Sequence, residues 1–202
     1  MMTKFTRSHL PKYYPYLKAC LDFLFALLLM ILCAPLLLLL GLLIRLDSPG
    51  PIIYRQRRLG RHGKLFTIYK LRTMKIDAPC LSTEEMQRSG YNHVTRLGVF
   101  LRKSNLDELP QLVNIIKGEM SFIGPRPALP SQTDLNNLRE ELGVHQVRPG
   151  ITGLAQVMRR DNLETATKVR YDKDYCQRMN LSLDIKIVAL TFAVFLSSRE
   201  NI

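Results

Sequence analysis

Cysteine is sparse in this chain of 202 residues. Cys20, Cys33, Cys80 and Cys176 stand far apart, and no pair has the spacing of a metal-binding motif. A disulfide scaffold needs a denser pattern, so reduced, structural cysteines are expected. His9, His62, His93 and His145 are equally scattered, and no zinc site can be read. There is no Gly-rich dinucleotide fingerprint, no lysine-serine phosphate loop and no internal repeat, which removes the usual nucleotide-binding modes. Acid is also in short supply: 17 Asp and Glu stand against 29 Lys and Arg, for a net charge of +12. That balance fits a nucleic-acid binder, a membrane-surface protein or a handler of phosphorylated ligands. The length suits one domain with a sizeable core and would cramp a second.

What the chain does have is a run from Phe23 to Ile44 with no charge and almost no polar group. It is long enough to cross a bilayer core. It exceeds a signal-peptide apolar region, and no small-residue cleavage site follows. Lys4, Arg7, Lys12 and Lys18 precede it; Arg45, Arg55, Arg57, Arg58, Arg61 and Lys64 follow, opposed only by Asp47. Lys and Arg beside a membrane segment favour the cytoplasmic side, and here both flanks ask for it. A re-entrant helix satisfies both, with Pro35 near the middle as the place to bend. An ordinary anchor kinked at the same proline is the alternative. Asp22 is expected to pair with Lys18, four residues earlier on the same helix face.

After the run, Ser48-Pro49-Gly50-Pro51 breaks the helix. Residues 52–55 and 65–71 read as the strands of a short hairpin, turning at Gly60 and Gly63. Eight Lys or Arg between Arg55 and Lys75 meet no acid, a density suited to phosphate or anionic lipid. Residues 77–90 read as loop with a helical turn, and 94–102 as a short strand or helix start. Leu106, Leu109, Leu112, Val113 and Ile116 have helical spacing, closed by Gly118. Residues 120–130 and 148–153 read as stiff loops, and 132–142 and 162–179 as helices. The apolar segment 181–196, interrupted by Asp184 and Lys186, suits an interfacial helix or a core helix.

Asp107-Glu108 is the most suggestive pair for chemistry. Ser104 or Asp107 can cap the following helix, and Pro110 argues for a late start. A carboxylate at the positive end of that helix is expected to stay ionised at neutral pH. Plain capping explains an Asp there equally well. Arg96, Arg102 and Lys103 lie just before the pair, however, and Arg126 and Arg148 lie in rigid proline-containing turns. Arginine in a fixed loop suits bidentate phosphate binding. Two carboxylates among such arginines fit a site for phosphate and magnesium, a hard cation that takes carboxylate oxygens together with substrate phosphate.

The motifs then follow in order: Pro49-Gly50-Pro51-Ile52 with Arg55-Gln56, Gly63-Lys64, Phe66 to Met74, Thr95-Arg96-Leu97-Gly98, Leu101-Arg102-Lys103, Leu106-Asp107-Glu108-Leu109-Pro110-Gln111-Leu112, Gly118-Glu119-Met120-Ser121, Gly124-Pro125-Arg126-Pro127, and Arg148 to Gly153 with Ala155-Gln156-Val157. Through these stretches the chain resembles the monotopic polyprenyl-phosphate glycosyl-1-phosphate transferases, the bacterial sugar transferase family, in the minimal form consisting of the catalytic domain alone. The resemblance runs from about Lys18 to the C-terminus.

The resemblance implies a mixed α/β (α+β-like) monotopic membrane enzyme. It would have a re-entrant N-terminal helix bent at Pro35, a short β-hairpin and amphipathic interfacial helices, with residues 1–47 as membrane segment and 48–202 as catalytic domain. It implies transfer of a sugar-1-phosphate from a UDP-sugar to undecaprenyl or a related polyprenyl phosphate, releasing UMP. Asp107 matches the nucleophile that carries the phosphosugar, and Glu108 its partner carboxylate; both are the expected magnesium ligands. Lys70, Arg72, Arg96, Arg126, Pro127 and Arg148 match positions around the phosphates, and Asp172 and Tyr175 a late acidic-aromatic pair near the site. The expected location is the cytoplasmic face of the bacterial inner membrane, with a leaning toward a homodimer, in capsule, O-antigen, exopolysaccharide or glycoprotein assembly.

Two departures stand out. Ala34 replaces a serine often found before the proline, and Met158-Arg159-Arg160 replaces a commoner Asn-Gly-Arg, which leaves the sugar open. A non-catalytic membrane adaptor of a polysaccharide assembly complex would account for the apolar run and basic surface, but has no need of Asp107-Glu108. A nucleic-acid binder would leave Phe23 to Ile44 unexplained.

Overall fold

The computed structural model describes residues 13–76, 78, 93–158 and 164–200. The first element is α1, Tyr14–Asp47. Pro15 sits in its first turn, where a missing N–H costs nothing. At 1.5 Å per residue a straight helix of this length would reach about 51 Å. Helical structure continues through Pro35. Among the described residues α1 is the one helix long and apolar enough to cross a membrane. It buries only a narrow stripe: Tyr14, Lys18, Asp22 and Ala26 at four-residue steps, then Leu40, Gly41 and Ile44. The remaining faces are apolar yet uncovered, with Leu32 65%, Leu38 77% and Leu46 74% exposed. An apolar surface of that extent marks contact with lipid or another protein.

The hairpin follows as β1 (Ile53–Leu59) and β2 (Leu65–Leu71), antiparallel, with Ile53 opposite Leu71 and Leu59 opposite Leu65. The outer edge of β2 is closed by a side chain. Asn114, fully buried, accepts from the Tyr69 N–H at 3.2 Å and donates to the Thr67 carbonyl and Glu119 Oε2, each at 2.7 Å. It stands in for a neighbouring strand and removes an open edge.

The chain continues as α2 (Arg96–Ser104), a 3₁₀ segment (Leu106–Gln111), α3 (Leu112–Ile116), β3 (Ser121–Ile123), α4 (Thr133–Glu141), β4 (Gly150–Thr152), α5 (Leu154–Val157), α6 (Thr165–Arg178) and α7 (Leu181–Glu200). The first helix of this series, α2, replaces the strand-or-helix reading of 94–102; only Val94 makes a bridge, to Met74. Strands β3 and β4 pair in parallel within the two segments read as loops. Three-residue strands are too short to show an alternation, so only tertiary pairing reveals them. Residues 77–90, apart from 78, and Arg159 and Arg160 lie outside the described residues, as does the expected helix start at 162.

Three apolar clusters hold these elements. Ala26 and Met30 of α1 join Phe66, Ile68, Leu112, Ile115 and Met120. Leu37, Leu40 and Ile44 join Leu71 and Leu101. The third gathers Val169, Tyr175 and Cys176 of α6 with Ile187 of α7, and reaches Tyr14. Asp184 of α7, 5% exposed, accepts from Tyr14 Oη at 2.6 Å and Lys18 Nζ at 2.7 Å on one oxygen, and from Tyr175 Oη at 2.9 Å on the other. The expected Lys18–Asp22 pair is present at 3.8 Å but is the longer of the two Lys18 contacts. Both halves of α1 therefore pack on the same body. On α7, Asp184 and Ile187 face inward while Ile185, Phe192 and Leu196 stay exposed.

Candidate active site

Asn105 ends α2 in a left-handed conformation, φ 55°, which asparagine tolerates better than most residues. The chain then turns so that Asp107 and Glu108 occupy the first turn of the 3₁₀ segment. Neither Ser104 nor Asp107 caps a helix. Ser104 Oγ donates back to the Phe100 and Leu101 carbonyls, and the capping residue of α2 is Thr95. Pro110 lies inside the 3₁₀ turn, and α-helix resumes only at Leu112.

Glu108 is the hub. Lys70 Nζ, brought by β2, donates to Glu108 Oε1 at 2.6 Å, and Arg126 Nη2 reaches the same oxygen at 3.2 Å. Burial alone would raise the Glu108 carboxyl; the Arg126 and Lys70 charges, with their hydrogen bonds, overcome it and bring it down to about 2. Burial lowers the Lys70 ammonium, against the pull of Glu108. Asp107, 8% exposed, moves the other way. Burial raises its carboxyl, Lys70 and Arg102 oppose the rise, and the Glu108 charge adds to it. The expectation of a carboxylate stabilised by a helix N-terminus is thus corrected: burial, not the dipole, dominates at Asp107.

Arg126 comes from a loop whose carbonyls are pinned one after another. Pro125 O accepts from the Gly150 N–H at 2.9 Å, Arg126 O from Arg139 Nη1 at 2.8 Å, and Pro127 O from Arg58 Nη1 at 3.1 Å. Ala128 O accepts from the Leu59 N–H at 3.0 Å, and Leu129 O from Asn136 Nδ2 at 2.8 Å. The loop main chain is rigid while the Arg126 side chain stays 53% exposed, an arrangement suited to meeting a phosphate without reorganisation.

The other expected positions scatter. Arg96 is exposed on the first turn of α2, and Arg148 is half-buried with its guanidinium against Gly118. Pro127 is buried and serves through its carbonyl. Arg72 is 6% exposed and turns to the end of α1, where Nη1 donates to Pro49 O and Nη2 to Ser48 O. Asp172 is sealed against Arg139, which donates to its Oδ2 through Nε at 3.0 Å and Nη2 at 2.6 Å. Tyr175 is buried on Asp184 and the Ile123 carbonyl. Three side chains that the sequence does not mark as structural anchors prove central: Arg139 behind Arg126, Asn114 along β2, and Asp184 under α1. Arg139 in a polar helix, and Asn114 and Asp184 in apolar ones, give no sign that their partners lie across the fold.

The dyad supplies hard oxygen donors. No group of three His, Cys, Asp or Glu side chains capable of holding a metal occurs among the described residues. Magnesium suits such a place only when substrate phosphate completes its shell.

Residues 13–198 match the family model described as bacterial sugar transferase. The chain belongs to that family. It is 44% identical over 188 residues, 90% of this chain and 70% of the other, to a UDP-glucose:undecaprenyl-phosphate glucose-1-phosphate transferase of Caulobacter vibrioides. An Escherichia coli protein of the same name is 40% identical over 87% of this chain, which spans only 39% of that relative's length. The exopolysaccharide production protein ExoY of Sinorhizobium fredii is 37% identical, with 91% of this chain and 87% of the relative aligned. Sugar transferases of this family thus include relatives of nearly this length and relatives more than twice as long.

Proposed function

We propose that this chain transfers a sugar-1-phosphate from a UDP-sugar to a polyprenyl phosphate such as undecaprenyl phosphate, through a phosphosugar carried on Asp107. The observation that carries the reading is the contrast inside the dyad. Glu108 is bound by two cations, whereas among the described residues Asp107 has no Lys or Arg within ion-pair distance. A carboxylate with a raised pKa is the more basic of the two once ionised, hence the better nucleophile.

In the first step an Asp107 oxygen attacks the phosphorus bonded to the sugar. The bond from that phosphorus to the bridging oxygen breaks, and UMP leaves with the electron pair. In the second step a phosphate oxygen of the polyprenyl phosphate attacks the same phosphorus and releases the Asp107 carboxylate. Lys70 and Arg126 neutralise phosphate charge as it shifts between groups. Glu108, held near pKa 2, is too weak a base to accept a proton at neutral pH; it holds the two cations in place. Asp107 and Glu108 are the donors that would hold magnesium beside a diphosphate, where the ion supplies further charge neutralisation.

Residues 1–47 are the membrane segment in this reading and 48–202 the catalytic domain, seated on the cytoplasmic face. Re-entry is supported by the burial of both halves of α1 on one body, by basic residues on both flanks, and by Pro35 as the hinge. Exposed apolar side chains on α7 suit the same interface.

The test is a panel of UDP-sugars with undecaprenyl phosphate and magnesium, scoring UMP release, with mass spectrometry for a phosphosugar on Asp107. Asp107→Asn is expected to lose turnover and the adduct. Turnover at the parental rate in that variant would end the covalent reading.

A further inference from the structure

Arg72 immediately follows β2, two residues after Lys70, and its guanidinium is spent on the C-terminal end of α1. Nη2 donates to the Ile44 carbonyl at 3.3 Å, the Ser48 carbonyl at 2.5 Å and Ser48 Oγ at 3.0 Å; Nη1 donates to the Pro49 carbonyl at 2.9 Å. These carbonyls are the last turn of α1 and its exit. A helix leaves its final carbonyls without partners and carries partial negative charge there. The planar fork of arginine can meet several at once, which an ammonium group cannot.

The exit turn is shaped around this side chain. Gly50 has φ +122°, a conformation that L side chains rarely adopt, and a Cβ there would stand 2.2 Å from Arg72 Nη1. The uncovered apolar surface of α1 ends at Leu46, immediately before the turn. The end of β2 and the residue after it therefore tie the end of the apolar helix, at Arg72, to the Glu108 dyad, at Lys70, 2.6 Å from Glu108 Oε1. The opposite end of α1 is held separately, by Tyr14 and Lys18 on Asp184.

We propose that Arg72 is a positioning residue that fixes the height of the Lys70–Glu108 site above the apolar surface of α1, and so governs use of the lipid acceptor rather than of the nucleotide sugar. This rests on the two-step reading above. A water-soluble donor reaches the site from solvent whatever its height. A polyprenyl phosphate has its headgroup at a depth set by the bilayer, so a shift of the joint misplaces that phosphate alone.

The experiment uses the full chain in vesicles of phosphatidylethanolamine and phosphatidylglycerol containing undecaprenyl phosphate, with the UDP-sugar that the parent turns over best. Gly50→Ala and Arg72→Lys disturb the joint from its two sides. Both are expected to raise KM for undecaprenyl phosphate by about five-fold or more, with KM for the UDP-sugar within about two-fold of the parent. UMP released in a single turnover without acceptor should match the parent in Gly50→Ala. A rise confined to the UDP-sugar KM in Arg72→Lys would make Arg72 a phosphate contact and overturn the proposal. Equal changes in both constants, or loss of the folding transition in both variants, would overturn it as well. A parent that releases no UMP refutes the proposed function itself, a result separate from any of these.

Discussion

Lys70 Nζ lies 2.6 Å from Glu108 Oε1, with both side chains largely out of solvent, and the effect of this pair extends to the neighbouring Asp107. The Lys70 charge is the strongest influence holding the Asp107 carboxyl down against burial. The acid limb of kcat/KM is therefore expected above the ordinary Asp value of 3.8. In Lys70→Met it should move to still higher pH, with a lower plateau. A limb that stays in place in that variant would separate Asp107 from the pH dependence.

Glu108 should dominate the acid side of the stability curve. Its folded-state pKa of about 2 lies below the ordinary glutamate value of 4.5. Its contribution is then fully present above about pH 4.5 and is lost as pH falls toward 2. Asp107, with a raised pKa, runs in the opposite sense, so the parent curve alone is a mixture. The difference between parent and Glu108→Gln isolates the glutamate, and should shrink steadily below pH 4.5 in denaturation experiments on the detergent-solubilised protein. A difference independent of pH would contradict the ion-pair account.

Much of this architecture is legible in the amino-acid sequence. The second strand of the hairpin is legible at 65–71, where β2 lies, because the residues there alternate after a turn that holds Gly60 and Gly63. The apolar helix and the helices after residues 132 and 180 follow from local pattern, whereas the helix expected to begin at Asp107 is a 3₁₀ turn through Pro110 and becomes α-helical only at Leu112. What could not be read depends on partners distant in sequence. Parallel pairing of Ser121 with Gly150 leaves no trace in either segment. Arg72 sits two residues from Lys70 in one basic motif, yet one side chain meets Glu108 and the other the end of α1. The sign of the Asp107 shift depends on how much protein surrounds it, which dipole reasoning from a helix start does not reveal.

Asp172, expected near the site, is the buried counterion of Arg139. Asp172→Asn or Arg139→Gln should each destabilise the fold by about 3–5 kcal/mol, the usual result of breaking a buried pair from one side. Because Arg139 also holds the Arg126 carbonyl, kcat should fall about ten-fold or more at temperatures where the variants remain folded. Denaturant melts and initial rates check both halves. A raised KM with unchanged stability would instead mean that Asp172 touches substrate.

Asp184→Asn tests the other attachment of α1. The amide can still bond Tyr14 and Tyr175 but leaves Lys18 without its 2.7 Å counterion. A loss of about 3 kcal/mol is expected, together with faster proteolysis near residue 13. Unchanged proteolysis with lowered stability would place the effect in the contact of α6 with α7.

The narrow buried stripe of α1 bears on how the enzyme can be handled. Ala26 and Met30 roof Phe66, Ile68, Leu112 and Ile115, and Leu40 and Ile44 roof Leu71 and Leu101. Deleting the first 47 residues in search of a detergent-free fragment would strip side chains from all three interior clusters, Tyr14 from the third included, and aggregates should result. A more promising route keeps the stripe and exchanges only outward leucines such as Leu38 and Leu46 for Glu or Lys.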